Sequence, residues 1–299
     1  MFDRKTLKTR AKFVLSQSYF NALLACLIAS ILGGGIVFGA NFGANINLSD
    51  IGNGTNVVGS IANWNFYAAT ALFVAILALV ITLALSIFVS APINVGLKNY
   101  MLRMSDGDTR LDNLFMSFKS GYFNIVKVQF IKNLYITLWS LLALIPISVG
   151  ICFFDIHKKI YHLLNMQSPS FSSVMTLMLM IYGILSITLI FYIPAFIKKL
   201  QYLLVDYLLA ENPHITRHDA IYKSKEMMVG NKWAYIKLTL SFVPLYFISY
   251  FVCCGLGSVF IAPYIEQTYA QMYLEISGNG KDYSGFEFRV NGPFGGFGM

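Results

Sequence analysis

Five stretches of this chain run for about twenty residues or more without a formal charge: Phe13–Ser49, Ile51–Leu97, Asn133–Phe154, Ile160–Ile197 and Leu238–Ile265. A helix rises about 1.5 Å per residue, so roughly twenty apolar residues cross a hydrocarbon layer about 30 Å thick. Runs this long have no place in an ordinary water-soluble core. The fold class they predict is an all-α membrane protein with six transmembrane helices.

Composition agrees. The chain is 57% hydrophobic and 12% charged, where a soluble domain carries about a quarter charged residues. The net charge of +8 is spread between apolar runs and not clustered with exposed aromatics, so it reads as topology and argues against a nucleic-acid partner. Spans are expected at 19–40, 67–91, 133–154, 174–197, 233–253 and 257–276, the last two as a hairpin turning at Gly255-Leu-Gly-Ser258. Of the 22 Lys and Arg, all but Lys158 and Lys159 fall on one side of these spans. The positive-inside rule therefore places both termini in the cytoplasm. The basic N-terminus followed by an apolar run lacks a small-residue cleavage site, which favours a retained first span over a removed signal. Residues 1–277 read as one transmembrane domain and 278–299 as a Gly/Phe-rich flexible tail. Cys26, Cys152, Cys253 and Cys254 lie in or beside apolar runs without metal or redox spacing and read as packing residues.

The cytoplasmic segments resemble one another. Two open on the same pattern, Thr109-Arg-Leu-Asp112 and Thr216-Arg-His-Asp219, in which the Thr oxygen can accept from an early helix N–H. Apolar residues then follow at helical spacing: Leu111, Leu114, Phe115 and Phe118 in one, Ile221, Ser224, Met227 and Met228 in the other. Each reaches a small residue, an aromatic and a new span, at Gly121-Tyr-Phe123 and at Gly230-Asn-Lys-Trp233. The N-terminus does likewise through Leu7, Ala11, Val14 and Ser18-Tyr-Phe20. Short amphipathic faces flanked by Lys and Arg suit helices lying in the membrane interface. The chain thus reads as a threefold internal repeat of one unit: interfacial helix, outward span, outer loop, returning span.

Ile193 to Trp233 contains Pro194, Tyr202, Ala210-Glu-Asn-Pro213, Ala220-Ile221, Ser224, Met227-Met228-Val-Gly230 and Lys232, followed by Leu240-Ser241-Phe242 and Pro263-Tyr264. With Ala11-Lys12, Ser18-Tyr19 and the Pro92…Gly96 pair, this resembles the domain of unknown function 975 family of bacterial integral membrane proteins. The resemblance covers roughly residues 5–277. It implies a six-helix protein of the bacterial cytoplasmic (inner) membrane without an assigned activity. The chain departs from the pattern in its Asn/Gly-rich outer loop at 41–65 and in the tail after Gly278.

Glu266 is the most informative single residue. It falls midway along the sixth span, in Pro263-Tyr-Ile-Glu-Gln-Thr-Tyr-Ala-Gln-Met-Tyr273, and an ionisable group at membrane depth must be paired or line a wet cavity. Gln267 and Gln271 share its polar stretch, and Lys127, Lys132 and Lys237, near the starts of spans three and five, are the expected partners. The structural reading, an ion pair fixing helix register, is set against a proton or substrate site, and the former is favoured. Asp206 is expected on a solvated or interfacial helix face. Glu211, His214 and His218 have the spacing of metal ligands, but Pro213 and the cap at Thr216 put a turn between them. His157 and His162, with Lys158 and Lys159, belong to a solvated outer loop. Pro92, Pro194 and Pro263 lie in or at the ends of the returning spans, where a proline frees a backbone carbonyl. Gly33-Gly-Gly35 suits a close helix crossing or a hinge.

No nucleophile–base, metal or phosphate-loop motif occurs. No enzyme activity and no cofactor are expected. The leading expectation is a non-enzymatic multi-pass protein whose partners are membrane lipids or another membrane protein or transporter, in envelope maintenance, export or immunity. A small transporter or channel using the polar face around Glu266 is the alternative.

Overall fold

The computed structural model describes residues 2–35, 57–154, 171–253 and 257–279. Most of the 41–65 loop, the His157 and His162 loop, most of the Gly255 turn and nearly all of the tail lie outside the described residues. Every regular element among the described residues is helical. Four helical stretches are long and apolar enough to cross a membrane: Arg4–Gly33, Ala69–Ser105, Tyr122–Gly150 and Phe171–Glu211. The expectation of six is not met at 233–253 and 257–276. There α10 (Lys232–Leu240) breaks at Ser241–Phe242 before α11 (Val243–Cys253), and the second half of α12 (Gly257–Ser277) is packed inside protein.

The chain divides into two compact units, Met1–Gln129 with Leu204–Met299, and Phe130–Leu203. In the smaller unit lie the second part of α5 (Tyr122–Leu141), α6 (Leu144–Phe154) and α7 (Phe171–Gln201). Gly150 lets α6 and α7 touch, since a Cβ there would lie 2.4 Å from Ile184. The Lys198 ammonium sits 5.1 Å from the centre of the Trp139 ring, and most apolar side chains of α7 between Phe171 and Ile193 are exposed.

In the larger unit, the segments read as three separate interfacial helices form parts of one shared core. α1 (Arg4–Ser30) begins where the Asp3 carboxylate accepts from the N–H groups of Lys5 and Thr6 at 3.3 Å each. Its Leu7, Ala11 and Val14 are buried, and its basic face reaches across the chain. Arg4 and Lys8 donate to the carbonyls of Lys237 (3.5 Å) and Ser241 (3.4 Å) at the C-terminal end of α10, where the helix dipole favours cations. Arg10 pairs with Glu275 at 2.5 Å.

The capping pattern is realised once. Thr216 caps α9 (Arg217–Met227), its oxygen accepting from the Asp219 N–H at 3.2 Å. Thr109 caps nothing. A 3-10 turn over Leu111–Phe115 starts at Arg110 without a side-chain cap, and Asp108 binds the Arg110 backbone N–H and its guanidinium. Asp112 pairs instead with Lys119 at 2.6 Å. Leu114 is buried as expected, while Phe115 and Phe118 are exposed.

Each of the three segments compared above has a backbone break followed by an exposed aromatic. Ser18 leaves helical geometry (φ −155°, ψ 48°), and Gly121 and Gly230 take positive φ, 65° and 77°, where glycine alone is unstrained. Phe20 (67% exposed), Phe123 (81%) and Trp233 (70%) follow. In two of these segments the adjacent tyrosine donates to a carbonyl close to a proline. Tyr122 donates to the Phe88 carbonyl at 2.8 Å, four residues before Pro92, and so satisfies the acceptor that the imino ring cannot. Tyr19 donates to the Phe260 carbonyl at 2.6 Å, three residues before Pro263.

Candidate functional site

α3 (Ala91–Ser105) follows α2 (Val57–Leu85) and a π turn at Ser86–Ser90. It is the most buried helix of the larger unit. Gly96 permits this, since a Cβ there would lie 1.9 Å from the Leu114 carbonyl oxygen, an impossible approach for any other residue. Ser90 donates to the Gly33 carbonyl at 2.6 Å, and a Cβ on Gly33 would meet Ile93 at 3.1 Å, so this glycine is at a close crossing.

A polar seam runs where α3 meets α12 and α8 (Val205–Glu211). Glu266 is ion-paired, and its partner is Lys98. The two side chains keep 26% and 16% of their surface. Lys127 and Lys237, expected as partners, are exposed, and Lys132 is buried in the smaller unit. α3 packs directly on α12, and this contact brings Lys98 to Glu266.

Around the pair the seam is aromatic on one side and amide-lined on the other. The Lys98 ammonium lies 5.4 Å from the centre of the Tyr207 ring, a cation–π geometry. Tyr207 stacks on Tyr273 at 4.9 Å and 13°, and the Tyr273 hydroxyl donates to Glu211 at 2.6 Å. Gln267 and Gln271, one turn apart and fully buried, both donate to the Ser105 hydroxyl oxygen at 2.8 Å, and Ser105 donates to the Met101 carbonyl at 3.2 Å. Among the described residues the Gln267 carbonyl oxygen and the Tyr100 and Tyr207 hydroxyls have no hydrogen-bond partner. Buried groups left this way carry a desolvation cost.

Sequence reasoning found Glu266, Gln267 and Gln271 from their place in an apolar run, but missed Lys98, Ser105, Tyr207 and Tyr273. Pairing of Glu266 with a lysine beyond Pro92 has no signal in linear order. Asp206, read as solvated, is half-buried and accepts from the Gln129 amide at 2.6 Å. Of Glu211, His214 and His218, the first binds Tyr273, the second lies 3.5 Å from the Ser120 hydroxyl, and the third stacks on Tyr222.

What the seam can do chemically is hold charge and fix register. It joins elements far apart in sequence through a charged pair and amide–hydroxyl bonds, the kind of buried network that specifies one packing over its neighbours. No curated protein and no solved structure matches this chain. A family model matches residues 1–280, and the chain belongs to that family, the proteins of unknown function called DUF975.

Proposed function

We propose that this is a non-enzymatic, multi-pass protein of the bacterial cytoplasmic membrane that works through contacts of its apolar helices with lipid or with another membrane protein, in envelope maintenance, export or immunity. One observation carries the reading. From Leu72 to Leu83 nearly every apolar side chain of α2 is exposed, on all faces of the helix, and most apolar side chains of α7 are exposed outside its contact with α6. Helices without any covered face require an apolar surrounding. The one-sided Lys and Arg distribution orients both ends toward the cytoplasm.

Three hairpin units, each entered from an interfacial segment, are the architecture this reading assigns, with four of the six limbs long and apolar enough to cross. The three breaks followed by exposed aromatics, and the two tyrosine-to-carbonyl bonds beside prolines, support the repeat. Aromatic rings in this position suit the headgroup level.

The test is purification of the native chain from membranes in lipid-retaining particles, with mass spectrometry of co-purifying lipids and proteins. A lipid class or membrane protein enriched over an unrelated six-span control is the expected result. Recovery identical to the control would sink the proposal. A transporter reading draws on the same seam, because Lys98, Glu266, Gln267 and Gln271 put charge and amides inside an apolar chain. It requires that Glu266→Gln abolish a flux in proteoliposomes while leaving the folded amount unchanged.

A further inference from the structure

The third hairpin is built differently from a pair of crossings. Its first limb leaves the core at Phe242, which is fully buried, and α11 then runs from Val243 to Cys253, 11 residues. At 1.5 Å per residue that is about 16 Å, half of a hydrocarbon layer roughly 30 Å thick. The second limb is shorter. α12 starts at Gly257 and is inside the core by Pro263 and Ile265, with Gln267 and Thr268 fully buried behind them. Even measured to Glu266, this limb spans only about 14 Å. By contrast α2 alone, at 29 residues, rises about 43 Å.

Sliding the hairpin outward until it crossed would drag Glu266 off Lys98 and the amides of Gln267 and Gln271 off Ser105. Those groups would enter hydrocarbon, where charges and unpaired amides are costly. It would equally strip Arg4 and Lys8 from the carbonyls that end α10. The hairpin itself is tight. A Cβ on Gly257 would lie 2.8 Å from the Ser249 hydroxyl, so the two limbs touch backbone to side chain. Its outer surface is apolar and largely aromatic: Tyr246, Phe247, Ile248, Phe251, Val259 and Phe260 are exposed, with Phe247 and Phe251 stacked at 6.2 Å.

We propose that α11 and residues 257–262 of α12 form a re-entrant wedge that enters the cytoplasmic leaflet and returns within it, so that its partner is the acyl chains of that single leaflet. The inference rests on the reading above that the exposed apolar helices lie in a membrane with the basic core on the cytoplasmic side. A paired helical hairpin satisfies its own backbone and is tolerated at such depth. The wedge adds volume to one leaflet only, which ties the chain to lipid packing on the cytoplasmic side.

The unmodified chain supplies the first probe, because α11 ends at Cys253 and Cys254 follows. Spheroplasts and inverted vesicles are treated with a membrane-impermeant maleimide, and the cysteine-bearing peptides are mapped by mass spectrometry. Neither cysteine should react from either side, and both should react after denaturation in detergent. Labelling from outside means that the hairpin crosses, and labelling from inside means that it lies flat; either overturns the wedge. A second probe is Phe251→Trp in a chain whose three native tryptophans are replaced by Phe, reconstituted with lipids brominated at different depths. Quenching should be strongest for bromines near the chain ends. Strongest quenching by bromines near the headgroup overturns the proposal even if the cysteines are merely hidden. Carbonate washing separates the two levels of the argument. Release of the native chain into the wash defeats the membrane reading itself, whereas retention with a labelled Cys253 defeats only the wedge.

Discussion

Neutralising Glu266 tests the seam most directly. Breaking a buried ion pair by removing one partner costs about 3–5 kcal/mol, while exposed pairs contribute about 0–1 kcal/mol. With 16% and 26% of their side-chain surfaces open, Lys98 and Glu266 fall between these limits, and Glu266→Gln should cost roughly 2–3 kcal/mol. At about 2–4 °C per kcal/mol this lowers the apparent Tm in detergent by roughly 5–10 °C. In this variant Lys98 keeps the ring face of Tyr207, worth up to about 2 kcal/mol when desolvated, so Lys98→Met should be the more damaging single change. The double variant should regain at least about 1 kcal/mol over the sum of the singles, as residues in contact do. Lys127→Met and Lys237→Met should show no such coupling. An unchanged Tm for Glu266→Gln, or strict additivity in the double variant, would refute the claim that this pair holds α3 to α12.

Four further outcomes are expected. Gly96→Ala should abolish folding in detergent, since its Cβ would overlap the Leu114 carbonyl. Gly107→Ala, with φ +91° and nothing within 4 Å, should cost only about 1–2 kcal/mol, and equal effects in thermal unfolding would count against the packing argument. Tyr122→Phe should cost about 0.5–1.5 kcal/mol, and less in a Pro92→Ala background, where the new N–H can serve the Phe88 carbonyl; denaturant titration of the four chains reads the coupling. The Arg110 guanidinium holds the Asp108 carboxyl below the usual carboxylate range, so its stabilising contribution is present above about pH 4 and fades as pH falls toward the depressed folded value. The Tm gap between wild type and Asp108→Asn should therefore close on acidification below that point, and a gap that widens would contradict the sign. In a cysteine-free background, cysteines at Asn53 and Gln167 should react with an impermeant reagent on intact cells, and those at Asp108 and Lys225 should not; the reverse pattern would invert the orientation.

Much of the architecture was legible because lipid imposes a coarse rule that composition obeys. Long charge-free runs announced helices, four of them long and apolar enough to cross a membrane. The fifth and sixth expected spans are not among the helices long and apolar enough to cross, for a physical reason. Charge-free length does not say whether a run faces lipid or protein, and Leu238–Ile265 contains both the wedge and stretches that enter the core. Glu266 stood out because acids are rare in such runs, yet its partner lies 168 residues away. The nearest-looking lysines were chosen by span order, which carries no depth information for helices that tilt or break. The cap at Thr109 did not form: the turn starts one residue later, at Arg110, and Asp112 pairs with Lys119. Glycine roles at 96 and 121 were invisible for another reason. Each is dictated by a neighbour, Leu114 or Pro213, that only the folded chain brings near.

The larger unit is discontinuous in sequence, and this shapes how it can be made. Ala11, Ala22 and Ala25 are fully buried, yet α1 packs mainly on α12, and Arg10 waits for Glu275. During synthesis α1 must therefore remain without its main partner until α12, more than 220 residues later, has emerged. Closure over such a separation is entropically slow and leaves apolar and charged faces open to proteases and to wrong neighbours in the meantime. A chain truncated before Pro263 would keep every long apolar helix and still lack the element that completes its core. Membrane insertion and folding are therefore separable events here, and the arrival of α12 decides whether the protein persists.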